Sequence, residues 1–188
     1  MFGRFLGRAR ADAEVAMDLY RAIVAQARQP QLYRDLNVPD TVDGRFEMIV
    51  LHQVLLYHRL QREGKDGQSL AQAVFDLFVV DMDRSFREMG VGDFGVPKRM
   101  KAVGRSFYGR LEAYGKPITE GDRDGLAAAL QRNLFPDEQS APLAGSDLSA
   151  YVLGSAATLD ALPFSDIAAG KLAFPDIAAE PTQHQETV

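Results

Sequence analysis

The stretch Met89-Gly90-Val91-Gly92-Asp93-Phe94-Gly95-Val96-Pro97-Lys98 admits several readings, and the fold depends on which one holds. Gly90, Gly92 and Gly95 have the spacing of a dinucleotide-binding loop. Gly90 and Gly95 stand five apart, as in a phosphate-cradling loop, and Asp93-Phe94-Gly95 spells the metal-binding tripeptide of protein kinases. A dinucleotide loop needs a strand before its glycines, but the preceding residues repeat with helical period: Phe75, Val79, Met82, Phe86 and Met89 are spaced four, three, four and three apart. A phosphate loop needs Lys followed by Ser or Thr after its second glycine, where this chain has Val96-Pro97-Lys98. A bilobal kinase does not fit in 188 residues. The stretch therefore predicts a helix–corner–helix joint. Gly90 takes the left-handed cap, Gly92 and Gly95 let the chain reverse, Asp93 caps the next helix, and Pro97 sits in its first turn.

Helical periodicity extends outward on both sides. Residues 11–28 place Val15, Leu19, Ala22 and Ile23 on one side, and Pro30 ends that helix. Leu32, Tyr33 and Leu36 lie in a short helical or irregular stretch. Asp40, Thr41 and Asp43 are each able to cap a helix over about 42–62, whose apolar residues cover more than one face and mark it as central. The run 63–69 reads as a break before a helix over about 69–89, whose stripe Phe75 to Met89 should be buried. After the joint come helices over about 96–114, with Val96, Met100, Val103, Phe107, Leu111 and Tyr114 inward, then 122–134 and 147–161, the last burying Leu148, Tyr151, Val152 and Leu159. The run 114–122 reads as an interruption. No alternating strand pattern occurs. The expectation is an all-α domain of six or seven helices over 11–162, between bundle-like and orthogonal in packing. A basic amphipathic segment, 1–10, precedes it. A partly extended acidic tail, 163–188, follows, with a strap packed through Phe164, Leu172 and Phe174.

Composition removes several function classes. Cysteine is absent, which excludes disulfides, zinc–thiolate sites and a cysteine nucleophile and fits a reducing compartment. No apolar run approaches the ~18 residues of a membrane span, and the start lacks the apolar core of a secretory signal. The net charge of −5 is uneven: residues 135–188 hold eight acidic residues and one lysine, leaving the rest about neutral. No global basic field points to nucleic acid.

Local chemistry is sparse. His52 and His58 are six apart on one helix and do not share a face, so they make no metal pair. Asp81 and Asp83 point ~200° from each other, and one of them is expected to bury against a basic partner. Asp83 and Arg87 can pair at i,i+4. Lys98, Lys101 and Arg105 share a face, with Tyr108 and Arg110 on adjoining turns, as either a solvated helix side or an interaction surface.

Three blocks in order add a resemblance: residues 19–52, 78–101 and 106–114 together resemble the ubiquinol–cytochrome c chaperone family, and 170–175 resembles its closing segment. The resemblance covers about 19–134 and fades beyond. It implies an assembly factor for respiratory complex III that binds newly made cytochrome b, acts with a small partner protein, is not an enzyme, and needs no cofactor or metal. A start without a long presequence implies a bacterial member, cytoplasmic and peripheral on the inner face of the cytoplasmic membrane. The motif positions it carries over are Asp43, Gly44, Arg45, Asp81, Asp83, Arg84, Arg87, Glu88, Gly90, Gly92, Asp93, Lys98, Tyr108 and Arg110, either locking the joint or facing the client. Holding a client predicts an open groove between the 42–62, 69–89 and 96–114 helices, with apolar walls and a charged rim. The alternative, a helical small-molecule-binding protein or enzyme with a polar site at Asp83, Arg87 and His52, predicts a closed polar pocket.

Overall fold

The computed structural model describes the backbone of residues 2–135 and 144–177 and the side chains of 12–135 and 145–177. The side chains of the basic segment 1–10, and residues 178–188 of the expected tail, lie outside the described residues. Among those described, every regular element is helical: α1 Phe2–Ala27, α2 Pro30–Arg34, α3 Val42–Leu60, α4 Gly64–Glu88, α5 Val96–Glu120, α6 Arg123–Leu134, α7 Ala144–Ala161 and α8 Phe164–Ile167. Six are long and two are single turns. None is long and apolar enough to cross a membrane.

Helix α3 is the hub, as its all-round apolarity predicts. Met48, Val50, Leu51, Val54, Leu55, Leu56 and Leu60 are all buried, and the helix packs against α1, α4, α5 and α7. Helix α6 fastens α7 to α5. Thr41 is the residue that caps α3, accepting from the Gly44 amide at 3.1 Å, while Asp40 instead binds Arg45. Gly44 is obligatory, because a Cβ there would lie 2.0 Å from the Pro39 carbonyl oxygen.

One expected interruption is shorter than read, and another is absent. A 3-10 turn over Gln61–Glu63 leads directly into α4, which begins at Gly64 rather than near 69. The glycines of 63–69 serve a tight corner: Gly64 has φ 63°, and a Cβ on Gly67 would lie 2.3 Å from the Leu60 carbonyl oxygen. Helix α5 likewise runs through Pro117 to Glu120. It ends only where Gly121 turns left-handed and the Asp122 amide reaches back to the Pro117 carbonyl at 2.9 Å. Asp122 then caps α6 through the Gly125 amide.

The buried stripe of α4 is also offset from the expected one. Ala71, Val74, Phe78 and Met82 are buried, Phe75, Val79 and Phe86 are half-buried, and Met89 is exposed. The expected stripe marks the edge of the contact because α4 packs against α1 and α3 on one side and α5 on the other. Helix α7 buries Leu148, Tyr151, Val152 and Leu159 as expected. The strap holds too: Phe164, Leu172 and Phe174 pack on the core, and Phe174 meets the His52 ring edge-on at 5.2 Å.

Candidate functional site

The glycine stretch is a joint. Helix α4 ends in a double cap, with the Val91 amide bonded to the Phe86 carbonyl at 3.0 Å and the Gly90 amide to that of Arg87 at 3.0 Å, which places Gly90 at φ 81°. Gly92 and Gly95 have no positive φ. Pro97 lies in the first turn of α5, as expected. Asp93 does not cap α5. Arg87 takes it instead, donating to Asp93 at 2.6 Å and to Asp83 at 2.7 Å, so one guanidinium ties the end of α4 to the loop. No strand precedes the glycines among the described residues.

Beside the joint lies an open cleft of about 680 Å³ between α3, α4 and α5, the place where holding a client, as the family resemblance implies, put a groove. Phe46, Ile49, Met82, Phe86 and Val103 make its floor and walls. Its rim carries Arg28, Asp43, Arg45, Asp81, Glu88 and Arg99, together with exposed Val42 and Met89. Most of the charged groups are held in place. Arg45 binds Asp40 at 2.6 Å and stacks over the Tyr33 ring, Arg99 stacks over Phe86, and Arg84 pairs with Glu88 at 2.7 Å. Asp81 accepts from the Tyr20 hydroxyl at 2.6 Å. Its partner is thus a phenol of α1, and of the two carboxylates it is Asp83 that meets a basic partner, Arg87. Burial first, and then the neighbouring Asp81 carboxylate, push the Tyr20 phenol well above its usual range.

The sequence-derived candidates separate into groups. Asp43, Arg45, Asp81 and Glu88 line the cleft. Asp83, Arg87 and Asp93 lock the joint. Arg110 makes a two-pronged bond to Glu47, at 2.9 and 2.8 Å, that bolts α5 to α3 in a mostly buried setting. Lys98, Lys101 and Arg105 lie with Tyr108 on the solvent side of α5, about a third of a turn from the residues facing the cleft. The alternative site at Asp83, Arg87 and His52 is not assembled. His52 is fully buried, and neither it nor the Asp83–Arg87 pair lines the cleft. Its Nδ1 donates to the Met48 carbonyl, and its Nε2 accepts from the Tyr151 hydroxyl at 2.7 Å. Gln26 donates to the same phenol. Burial pushes the His52 imidazole down to about 4, so it is neutral at physiological pH.

Arg28, Arg99 and Met89 were missed as cleft residues. Met89 was assigned to a buried stripe, and Arg28 lies at the end of a helix read only for its apolar side. A second omission was Arg59, which is buried and donates to the Leu159 and Leu162 carbonyls and to Glu63, closing the C-terminal end of α7. Nothing within one helix signals such a partner.

Helices packed on a hub, with an apolar-floored cleft open to solvent and rimmed by both charges, define a helical binding domain. This chain belongs to the ubiquinol-cytochrome C chaperone family, whose sequence model matches residues 34–174. The match continues through α7 and stops in the strap, so the resemblance read from sequence does not fade at 135. The crystal structure of the Cbp3 homolog from Brucella abortus superposes with a TM-score of 0.84 at 42% identity, covering 94% of this chain and 98% of that one. The ubiquinol-cytochrome c reductase complex assembly factor 1 of Mus musculus is 26% identical over 152 residues, covering 81% of this chain and 51% of that protein. The mitochondrial protein CBP3 of Saccharomyces cerevisiae is 28% identical over 163 residues, covering 82% of this chain and 48% of that protein. The chain thus spans about half the length of these two relatives.

Proposed function

We propose that this protein holds newly made cytochrome b during assembly of ubiquinol–cytochrome c reductase, with the α3–α4–α5 cleft as the client site. The observation that carries this is the cleft itself. Its floor is apolar, its rim bears Arg28, Arg45, Arg99, Asp43, Asp81 and Glu88, and it stands open beside exposed Val42 and Met89. Such a surface takes an amphipathic segment, its apolar side chains on the floor and its polar groups against the rim. Family membership supports the pathway, and the relatives' names place them in assembly of the same complex. The protein works on the cytoplasmic side of the membrane, alongside a small partner protein, and acts by binding rather than by catalysis.

The test is site-specific photo-crosslinking in the native cells. A photoreactive residue replaces Met89 or Val42 on the cleft rim, and in the control Val80, which is as exposed but on the outer side of α4. Cytochrome b adducts from the rim positions and not from position 80 are expected. Adducts from all three positions alike, or from none, would remove the cleft from the mechanism.

A further inference from the structure

The joint that ends one wall of the cleft has a second property that client holding does not use. Phe94, at the tip of the α4–α5 turn, is wholly exposed, at 102% of its reference surface. Just beyond it, Lys98, Lys101 and Arg105 are exposed along one side of α5, and none of them forms an ion pair. At ~100° per residue these three and Tyr108 fall within an arc of about 80°, and Tyr108 is itself 57% exposed. The first turn of α5 contains no acidic residue. A cation in that turn works against the helix dipole and costs a few tenths of a kcal/mol up to about 1 kcal/mol. Asp93, the nearest carboxylate in sequence, is occupied by Arg87. Residues 83–105 carry six basic and three acidic side chains, in a chain whose net charge is −5. No contact within the fold explains an unshielded phenylalanine beside unpaired cations.

We propose that this tip docks on an anionic lipid bilayer, with Phe94 entering the headgroup–acyl boundary and Lys98, Lys101 and Arg105 meeting lipid phosphates. Charge complementarity selects the occupant. A lone aromatic on a turn, followed by a line of separated cations, matches a surface that is fluid, negative and apolar just below its headgroups. A rigid protein partner needs a broad, shape-matched contact of ~800 Å² on each side. Tyr108, about 15 Å further along α5, suits the polar headgroup layer, where amphipathic rings concentrate. Docking has a geometric consequence: the same turn ends α4 at Glu88 and Met89 and leads to Arg99, so a docked tip holds that end of the cleft at headgroup level. Membrane binding by the tip does not depend on what fills the cleft.

The chain contains no tryptophan, so Phe94→Trp places a lone, selectively excitable tryptophan at the tip of the full-length protein. Its emission should shift to the blue with vesicles of phosphatidylcholine plus phosphatidylglycerol, stay unshifted with phosphatidylcholine alone, and return on adding salt. In vesicle flotation, each of Lys98→Glu, Lys101→Glu and Arg105→Glu should weaken partitioning by about fivefold or more, with an unchanged circular dichroism spectrum and no fall in melting temperature. The triple variant should no longer float. Emission that stays at its water-exposed wavelength with anionic vesicles overturns the proposal. So does a triple variant that floats like the parent, or binding that is lost only when residues 1–10 are removed. A blue shift produced by purified cytochrome b in detergent and not by anionic vesicles also overturns it, and assigns the tip to the client.

Discussion

The two halves of α3 face opposite surroundings. Its second half, from His52 to Leu60, is enclosed by α1, α7 and the strap, and every polar group it buries there has a partner. His52 is satisfied at both nitrogens, and Arg59 is bonded to two carbonyls and a carboxylate. One side of its first half forms a wall of the cleft, where half-buried Phe46 and the edge of Ile49 line the opening and Val42 is 68% exposed, while Met48, Val50 and Leu51 are buried behind it. Close packing at one end makes the hub rigid. The rim at the other end leaves apolar surface open to solvent, a feature of interaction sites. Buried positions and exposed rim positions should therefore respond differently to substitution.

The largest stability loss is expected at the enclosed end. Arg59→Ala leaves the Leu162 carbonyl and Glu63 without the Arg59 donor, leaves the Leu159 carbonyl with only the Leu162 amide, and should cost about 3 kcal/mol, read by chemical denaturation. An unchanged midpoint would mean that α7 is held by apolar packing alone. Acid should act on the same region with nearly equal force. His52 has its folded value lowered to about 4 from an unfolded 6.5, so the unfolded state binds the proton more readily. The stabilising contribution is complete above about pH 6.5 and is lost as pH falls toward 4, for a total of about 3 kcal/mol. In His52→Gln, stability should vary less over that range. Tyr151→Phe removes one bond to His52 and one to Gln26 and should cost about 2 kcal/mol.

The smallest stability effect belongs to the open end, and it would sharpen the contrast most. Met89→Asp and Val42→Asp alter exposed rim positions and should move stability by no more than about 0.5 kcal/mol. They should nevertheless abolish cytochrome b adducts from a probe at the other rim position. Loss of fold in either variant would show that the rim is part of the core.

The glycine joint was legible in sequence because its signals are local. Left-handed Gly90, Pro97 in the first turn of α5, and the Asp83–Arg87 pair all operate within a helical turn. The cleft's position between α3, α4 and α5 was anticipated only through the family resemblance, which implies a held client. Its composition was not. Met89 continues a perfect heptad-like stripe and still emerges into solvent, because it lies past the end of α4 on the rim of the open cleft. Pro117 and the glycines of 63–69 were misread for a related reason. A breaker residue signals only that the helix needs compensation there, and a neighbouring element or a following cap can provide it.

The sequence by itself determined that the chain is all-α, where most helices lie, which one is central, how the glycine corner turns, and to which family the motifs belong. The first four depend on periodicity and capping, which act over about four residues, and the last on the resemblance of three blocks to a known family. Only the tertiary structure decided that Asp81 would meet Tyr20, that His52 would meet Tyr151, and that Arg59 would close α7 through Leu162. Those partners are 61, 99 and 103 residues apart. A buried polar group must find some partner, but which one it finds is set by how the helices pack, and no spacing along the chain encodes that.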